Sequence, residues 1–188
     1  TFSILPGSSK EYDRYMKGIY EVDNAEELLS LVESRKYDIE ELEYGIDKDI
    51  DTDSVNLSNF ISDYKGVKKI IRDIYFNYSI DNIPLAGKIW YPQIEGRCPV
   101  IFIIHGNHTA ATKSYLGYDY IGEYLAENGY IVVSVDERFC NNYIDGGLTG
   151  ENDARAVLLL ENVRQVLEWN EEEDNPLYHR IDEENIGL

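Results

Sequence analysis

Two uninterrupted apolar runs, Pro99-Val-Ile-Phe-Ile-Ile104 and Tyr130-Ile-Val-Val-Ser-Val135, dominate the pattern along the chain. A strand apolar on both faces belongs in the middle of a covered parallel sheet. Between the runs, Leu116, Ile121 and Leu125 recur at helical spacing, which predicts a helix over 113–128 with Gly129 as its C-terminal stop. After the second run, Asn152 or Asp153 is placed to cap a long helix carrying Ala156, Val157, Leu160, Val163 and Leu167 on one face. The tail Asn185-Ile-Gly-Leu188 reads as the opening of a further strand. Upstream, Ile70, Ile71, Ile74, Tyr75, Phe76 and Tyr78 form a β-branched and aromatic stretch that predicts a strand. Asp81-Asn82 marks a turn, and Leu85 to Tyr91 a second strand ended by Pro92. Strands alternating with helices of this length predict an α/β fold.

The first third is patterned differently. Asp23-Asn-Ala-Glu26 is a capping box opening a helix that runs to about Lys36, with Ala25, Leu28, Leu29 and Val32 at helical spacing. An acidic turn is expected over Ile39 to Tyr44, then a linker from Gly45 to Lys65 with a short helix around Val55 to Tyr64. The domain division expected is therefore an acidic helical extension and linker at 1–66, then the α/β region at 67–188. Asp49, Asp51 and Asp53 have the spacing that opens a calcium loop, but Ser54 stands where that loop needs Gly and Phe60 where it needs Glu.

Charge sharpens this division. The 188 residues carry a formal net charge of −19. That argues against a nucleic-acid partner, which needs clustered cations, and against docking on an anionic membrane. The ends hold most of it: 1–66 is net −9, 67–150 is −2 and 151–188 is −8. The plain reading is a solvated acidic surface; the sharper one is binding of cations or basic partners. Apolar residues make up 43% of the chain, enough for a buried core. No apolar run approaches the roughly 20 residues of a membrane-spanning helix, and no signal segment opens the sequence. The chain starts at Thr1, so a leader already removed is compatible with it.

Cys98 and Cys140 flank the two apolar runs. If those runs are neighbouring parallel strands, the thiols lie at opposite ends of the sheet, too far apart for a disulfide. Two free thiols favour a cytoplasmic setting slightly, with a processed exported form the alternative. They supply no zinc-ligand spacing, so neither a metal nor a cofactor is expected.

Candidate chemistry concentrates in His105-Gly106-Asn107-His108, directly after the first apolar run. Ligands of open α/β sheets bind beyond the carboxyl ends of the strands. Gly106 is expected to let the backbone bend sharply there and approach a substrate. Exposed N–H groups in such a turn can donate to a developing oxyanion. Asp136-Glu137-Arg138, at the end of the second run, belongs to the same rim, and with His105 forms the expected substrate rim.

In this order the segments resemble the α/β-hydrolase superfamily, and among its members the bacterial acylhydrolases similar to dienelactone hydrolases and platelet-activating-factor acetylhydrolases. Trp90-Tyr-Pro92 and Cys98 to Gly106 look like that family's second and third strands, and Gly129 to Asp136 like its fourth. Glu151-Asn-Asp-Ala-Arg155 and the long helix look like the segment leading to the nucleophile strand. The resemblance covers roughly 68–188 and implies a partial α/β-hydrolase sheet, mostly parallel with helices on both faces. It implies an oxyanion hole built from Gly106, Asn107 and His108, and a small-molecule ester or acyl substrate. The family's nucleophile sits in a G-x-S-x-G elbow after the next strand. No G-x-S-x-G occurs in the 188 residues. The expectation is thus the N-terminal part of a serine hydrolase: no catalytic residue within the chain, no activity alone, and an exposed edge on strand 99–104 that invites self-association.

The same residues admit other readings. Gly106-Asn107-His108 is also the G-N-H of metallophosphoesterases, but no His precedes His105, and Thr109 stands where that family is acidic. His105-x-x-His108 could be half a metal site, though no third ligand is evident; His179 falls in an acidic turn. Ser114 suits a helix cap and Ser134 a buried strand better than either suits a nucleophile. Asn56, Asn77 and Asn107 each open a glycosylation sequon. A non-catalytic binding module remains the different-class alternative.

Overall fold

The computed structural model describes residues 37–144 and 146–188. Tyr37–Leu188 forms one compact unit, described below. The helix expected from Asp23 to Lys36 lies outside the described residues.

A five-stranded sheet organises this unit. Its strands are β1 (Ile39–Tyr44), β4 (Gly87–Pro92), β6 (Ile131–Val135), β5 (Cys98–Ile104) and β7 (Ile181–Gly187), in the spatial order β1-β4-β6-β5-β7. β1 pairs antiparallel with β4, and β4 antiparallel with β6. β5 is parallel to both β6 and β7. A two-residue pair, β2 (Ser54–Val55) with β3 (Ile83–Pro84), stands apart. The class is α/β, but the sheet is mixed rather than mostly parallel. The difference comes from β1, expected as an acidic turn: its Leu42 and Tyr44 are buried while Glu41 and Glu43 alternate with them. A period of two with acids on the open face is still a strand. The acidic extension therefore does not run to 66, because 39–44 is part of the sheet.

Helices cover both faces. α1 is Gly66–Phe76, α2 is Asp119–Ala126 and α3 is Glu151–Trp169, with short 3-10 turns at Ser114–Tyr118 and Arg138–Cys140. On one face Val166 and Trp169 of α3 pack on Ile89, Val100, Phe102, Ile131 and Val133. On the other, Ala126 of α2 packs with Trp90 and Val132. The α2 contact requires a glycine, since a Cβ on Gly122 would lie 2.4 Å from the Trp90 ring. The helix predicted over 113–128 is thus a 3-10 turn followed by a shorter α-helix, stopped at Gly129 with φ +94°.

Three expectations fail for identifiable reasons. The stretch 70–78 is largely helix, not strand. Val67, Ile70, Ile71 and Ile74 have the i, i+3, i+4, i+7 spacing of one helical face, and here periodicity outweighs β-branched composition. That face is turned outward, with Ile74 77% exposed, whereas Arg72 on the opposite side is fully buried. Arg72 donates to the carbonyls of Phe139, Asn141 and Gly146 and so ties α1 to the loop after β6. The helix expected around 55–64 is absent; β2 and turns stand there. In α3 the buried face is Ala154, Arg155, Leu158, Asn162, Gln165, Val166 and Trp169, and Leu160 is 60% exposed. Its N-cap is Gly150, and neither Asn152 nor Asp153 caps it.

The first part of β5 is also not an open edge, whereas residues 102–104 have no strand partner on the β7 side among the described residues. β7 pairs with it from Cys98 to Ile101, with a register shift that passes over residues 183–185, so the outer edge on this side belongs to β7. Cys98 and Cys140 are both free and buried. Burial holds both thiols above their ordinary range, Cys140 up to about 12, so neither is a nucleophile at neutral pH. No described helix is long and apolar enough to cross a membrane.

Candidate functional site

Ile104 ends β5, and the chain turns at once through Gly106, Asn107, His108 and Thr109, all exposed. His105 itself is only 2% exposed. Its Nε2 accepts the Glu137 N–H at 3.1 Å, which places the ring proton on Nδ1, 2.9 Å from the Gly106 carbonyl. Burial holds this imidazole below its ordinary value, so it is neutral. His105 is therefore a pin joining the ends of β5 and β6, not a substrate-facing rim residue.

Glu137 is likewise fully buried and leaves the rim. Its Oε2 accepts from Arg155 Nη1 at 2.7 Å, and the same Nη1 reaches the His105 carbonyl at 3.3 Å. Arg155 Nη2 donates to Asn141 Oδ1. Glu137 Oε1 and Asn141 Nδ2 make no hydrogen bond among the described residues. Burial pushes the Glu137 carboxyl up to about 7, against the opposing pull of Arg155. Four buried polar side chains thus lock the floor beneath the turn. The sequence offered no sign of Arg155 in this role, because its letter reads as the solvent side of a helix.

Above the floor, Asn107 ties the turn sideways. Its Nδ2 donates to Glu151 Oε1 at 2.6 Å, and its Oδ1 accepts the Asn142 N–H at 3.0 Å. Thr109 bridges to Asn142, whose carbonyl accepts the Ala110 N–H at 2.7 Å. The backbone N–H groups of Asn107 and His108 make no hydrogen bond among the described residues. They are exposed, unspent donors held at the C-terminal end of a central strand. Gly106 is not needed for the bend: its φ is not positive, and a Cβ there would meet only His108 Nε2, at 3.7 Å. The space at this glycine is open apart from that ring.

A polar cleft of about 550 Å³ adjoins the turn, lined among others by Asn107, Asn142, Gly147, Gly150, Glu151 and Asp153. Of the remaining rim residues, Asp136 and Arg138 hold each other, with Arg138 Nε 2.9 Å from both carboxylate oxygens and Nη2 2.8 Å from Oδ2. Ser134 is buried and its hydroxyl donates to the Tyr115 carbonyl, so it is packing, as its strand position suggested. Ser114 is the first residue of the 3-10 turn, and its N-cap position is held by Lys113 without a side-chain capping bond. His179 sits in the turn before β7 with φ +55°, its ring against Tyr178. Asp49, Asp51 and Asp53 do not converge: Asp49 Oδ2 accepts the Glu43 N–H, and Asp53 pairs with Arg164. Among the described residues no group of three His, Cys, Asp or Glu side chains could hold a metal ion.

No protein-family model matches the chain, and no curated protein matches its sequence.

Proposed function

We propose that this chain supplies the sheet and the oxyanion-binding turn of a serine-type acyl or ester hydrolase of the α/β-hydrolase kind. The observation that carries the reading is the pair of unspent amides at Asn107 and His108, at the C-terminal end of β5, with open space at Gly106. A tetrahedral oxyanion needs donors of this sort, fixed before the reaction begins. The pinning of His105 and Asn107 to Glu137, Arg155, Glu151 and Asn142 fixes them. Strand placement supports the same reading. In the resemblance, the strand leading to the nucleophile lies against strand 99–104, and β7 pairs in parallel with that strand.

The chain's own residues hold and orient an acyl oxygen; they do not attack it. Ser134 is buried and bonded, both thiols are buried, and no G-x-S-x-G is present. Attack by a serine, proton transfer through a histidine and orientation by an acid belong to residues outside these 188. The metallophosphoesterase alternative fits less well. It asks the Asn107 amide oxygen to hold a metal, and that oxygen already accepts the Asn142 N–H.

The coding sequence beyond the Leu188 codon tests the reading. It is expected to continue into G-x-S-x-G, then an acid and a histidine. The 188-residue chain alone is expected to hydrolyse p-nitrophenyl acetate no faster than buffer and to take up no fluorophosphonate label. A stop codon after Leu188 overturns the proposal, as does fluorophosphonate-sensitive esterase activity in the isolated chain.

A further inference from the structure

A second cavity, of about 270 Å³, opens on the same rim on the β4 side of β6. Its walls come from places that the sequence keeps apart: the end of β1 and the loop after it, residues 76–78 where α1 ends, Pro84 and Ala86 before β4, and the rim residues Lys113, Tyr115, Asp136 and Arg138. It shares no residue with the cleft beside Asn107.

Hydrogen-bond accounting shows what the lining still has to give. Asp136 is saturated: Oδ1 accepts the Arg138 N–H and Nε, and Oδ2 accepts Nε and Nη2. Arg138 spends Nε and Nη2 on that carboxylate, and its Nη1 makes no hydrogen bond among the described residues. Its guanidinium rests 5.6 Å from the Tyr115 ring centre, which fixes the plane of the group. Lys113 has no ion pair among the described residues, and the Tyr78 hydroxyl has no hydrogen-bond partner there. The Tyr78 phenol is held above its ordinary value, first by burial and then by the Asp136 charge, so it is a donor at neutral pH. Lys48 is held by Glu43 at 2.6 Å, and Asp47 is the one lining carboxylate without a cation on it. Three residues with unspent donors, two of them cationic, thus line one cavity in a chain whose net charge is −19. The rings of Phe76, Tyr78 and Tyr115 also line the cavity, beside Ile46, Pro84 and Ala86.

We propose that this cavity binds a small aromatic carboxylate, its oxygens taken by Arg138, Lys113 and Tyr78 and its ring by the surrounding aromatic walls. A carboxylate offers the lone pairs that three donors need, and a planar guanidinium suits it. The inference does not rest on the hydrolase reading, since the cavity excludes the turn at 105–108 and involves no bond making.

The test is a titration of the full 188-residue chain with benzoate, followed by the amide NMR signals of Tyr78, Lys113 and Arg138. Benzamide, the neutral analogue, serves as comparison. Benzoate is expected to shift these signals saturably, with benzamide about tenfold weaker or more and with affinity falling as salt rises. Lys113→Gln, at an exposed position without a partner, and Tyr78→Phe, which removes only the hydroxyl, are each expected to weaken benzoate roughly three- to tenfold. Equal binding of benzamide overturns the proposal. So does the absence of saturable shifts below about 10 mM benzoate, or unchanged benzoate affinity in both variants.

Discussion

The bodies of β5 and β6 and the rim just beyond them are built from the same two segments by opposite means. Within the strands, Val100, Phe102, Ile131, Val133 and Val135 are buried by neighbours that ask only for apolar volume. Past Ile104 and Val135 the buried polar side chains are His105, Glu137, Asn141 and, from α3, Arg155, and each is held by a specific partner. An apolar core tolerates exchange of one aliphatic residue for another of similar volume. A buried polar cluster does not, because removing one member strands the others without partners. The rim is therefore the specific part of the structure, and it is the part that positions the candidate site.

The sharpest way to break this comparison is to remove one member from each region. Arg155→Met keeps the aliphatic stem and deletes the donors to Glu137, Asn141 and the His105 carbonyl. It is expected to cost about 3–5 kcal/mol in urea unfolding, the usual penalty for a buried charge left alone. Ile131→Val in the strand body is expected to cost about 1 kcal/mol. Equal costs would mean that the rim is no more demanding than the core.

The same asymmetry decided what the sequence made legible. Both central strands, the free thiols, the alternation of strand and helix and the position of the turn at 105–108 all follow from contiguous residues, and all are present. What escaped depends on partners far away in the chain. His105 and Glu137 read as rim residues because nothing near them announces Arg155, 50 and 18 positions on. The buried face of α3 differs from the expected one for the same reason. Arg155, Asn162 and Gln165 are polar letters that become interior only once bonded to Glu137, the Tyr44 hydroxyl and the Asp53 N–H. β1 was hidden by its acids, and α1 by β-branched residues that favour strands in composition but sit at helical spacing.

A pH titration sharpens the comparison, since β5 and β6 hold no carboxylate and no imidazole. The buried Glu137 carboxyl, at about 7, binds its proton more readily in the folded chain than at the ordinary value of 4.5. The folded state is therefore favoured below pH 4.5, and that contribution is lost as pH rises through about 7. Up to about 3 kcal/mol is at stake. His105, held low by burial, works in the other direction and loses stability as pH falls through its ordinary value. Glu137→Gln separates the two. The stability of the native chain minus that of the variant is expected to fall as pH goes from 4.5 to 7. A difference independent of pH would show that Glu137 stays ionised beside Arg155.

The smallest expected effect lies on α1, which reproduces the contrast within a single helix. Arg72 is buried and bonds three carbonyls of the loop after β6, while Ile74, two residues on, points outward at 77% exposure. Ile74→Gln removes apolar surface that the described residues leave in water and is expected to stay within about 0.5 kcal/mol of the native chain in urea unfolding. Arg72→Met strands those carbonyls and is expected to cost several times as much. If Ile74→Gln were the costlier change, the outward stripe of α1 would be a buried surface, and polar bonding would not be what holds this helix to the rim.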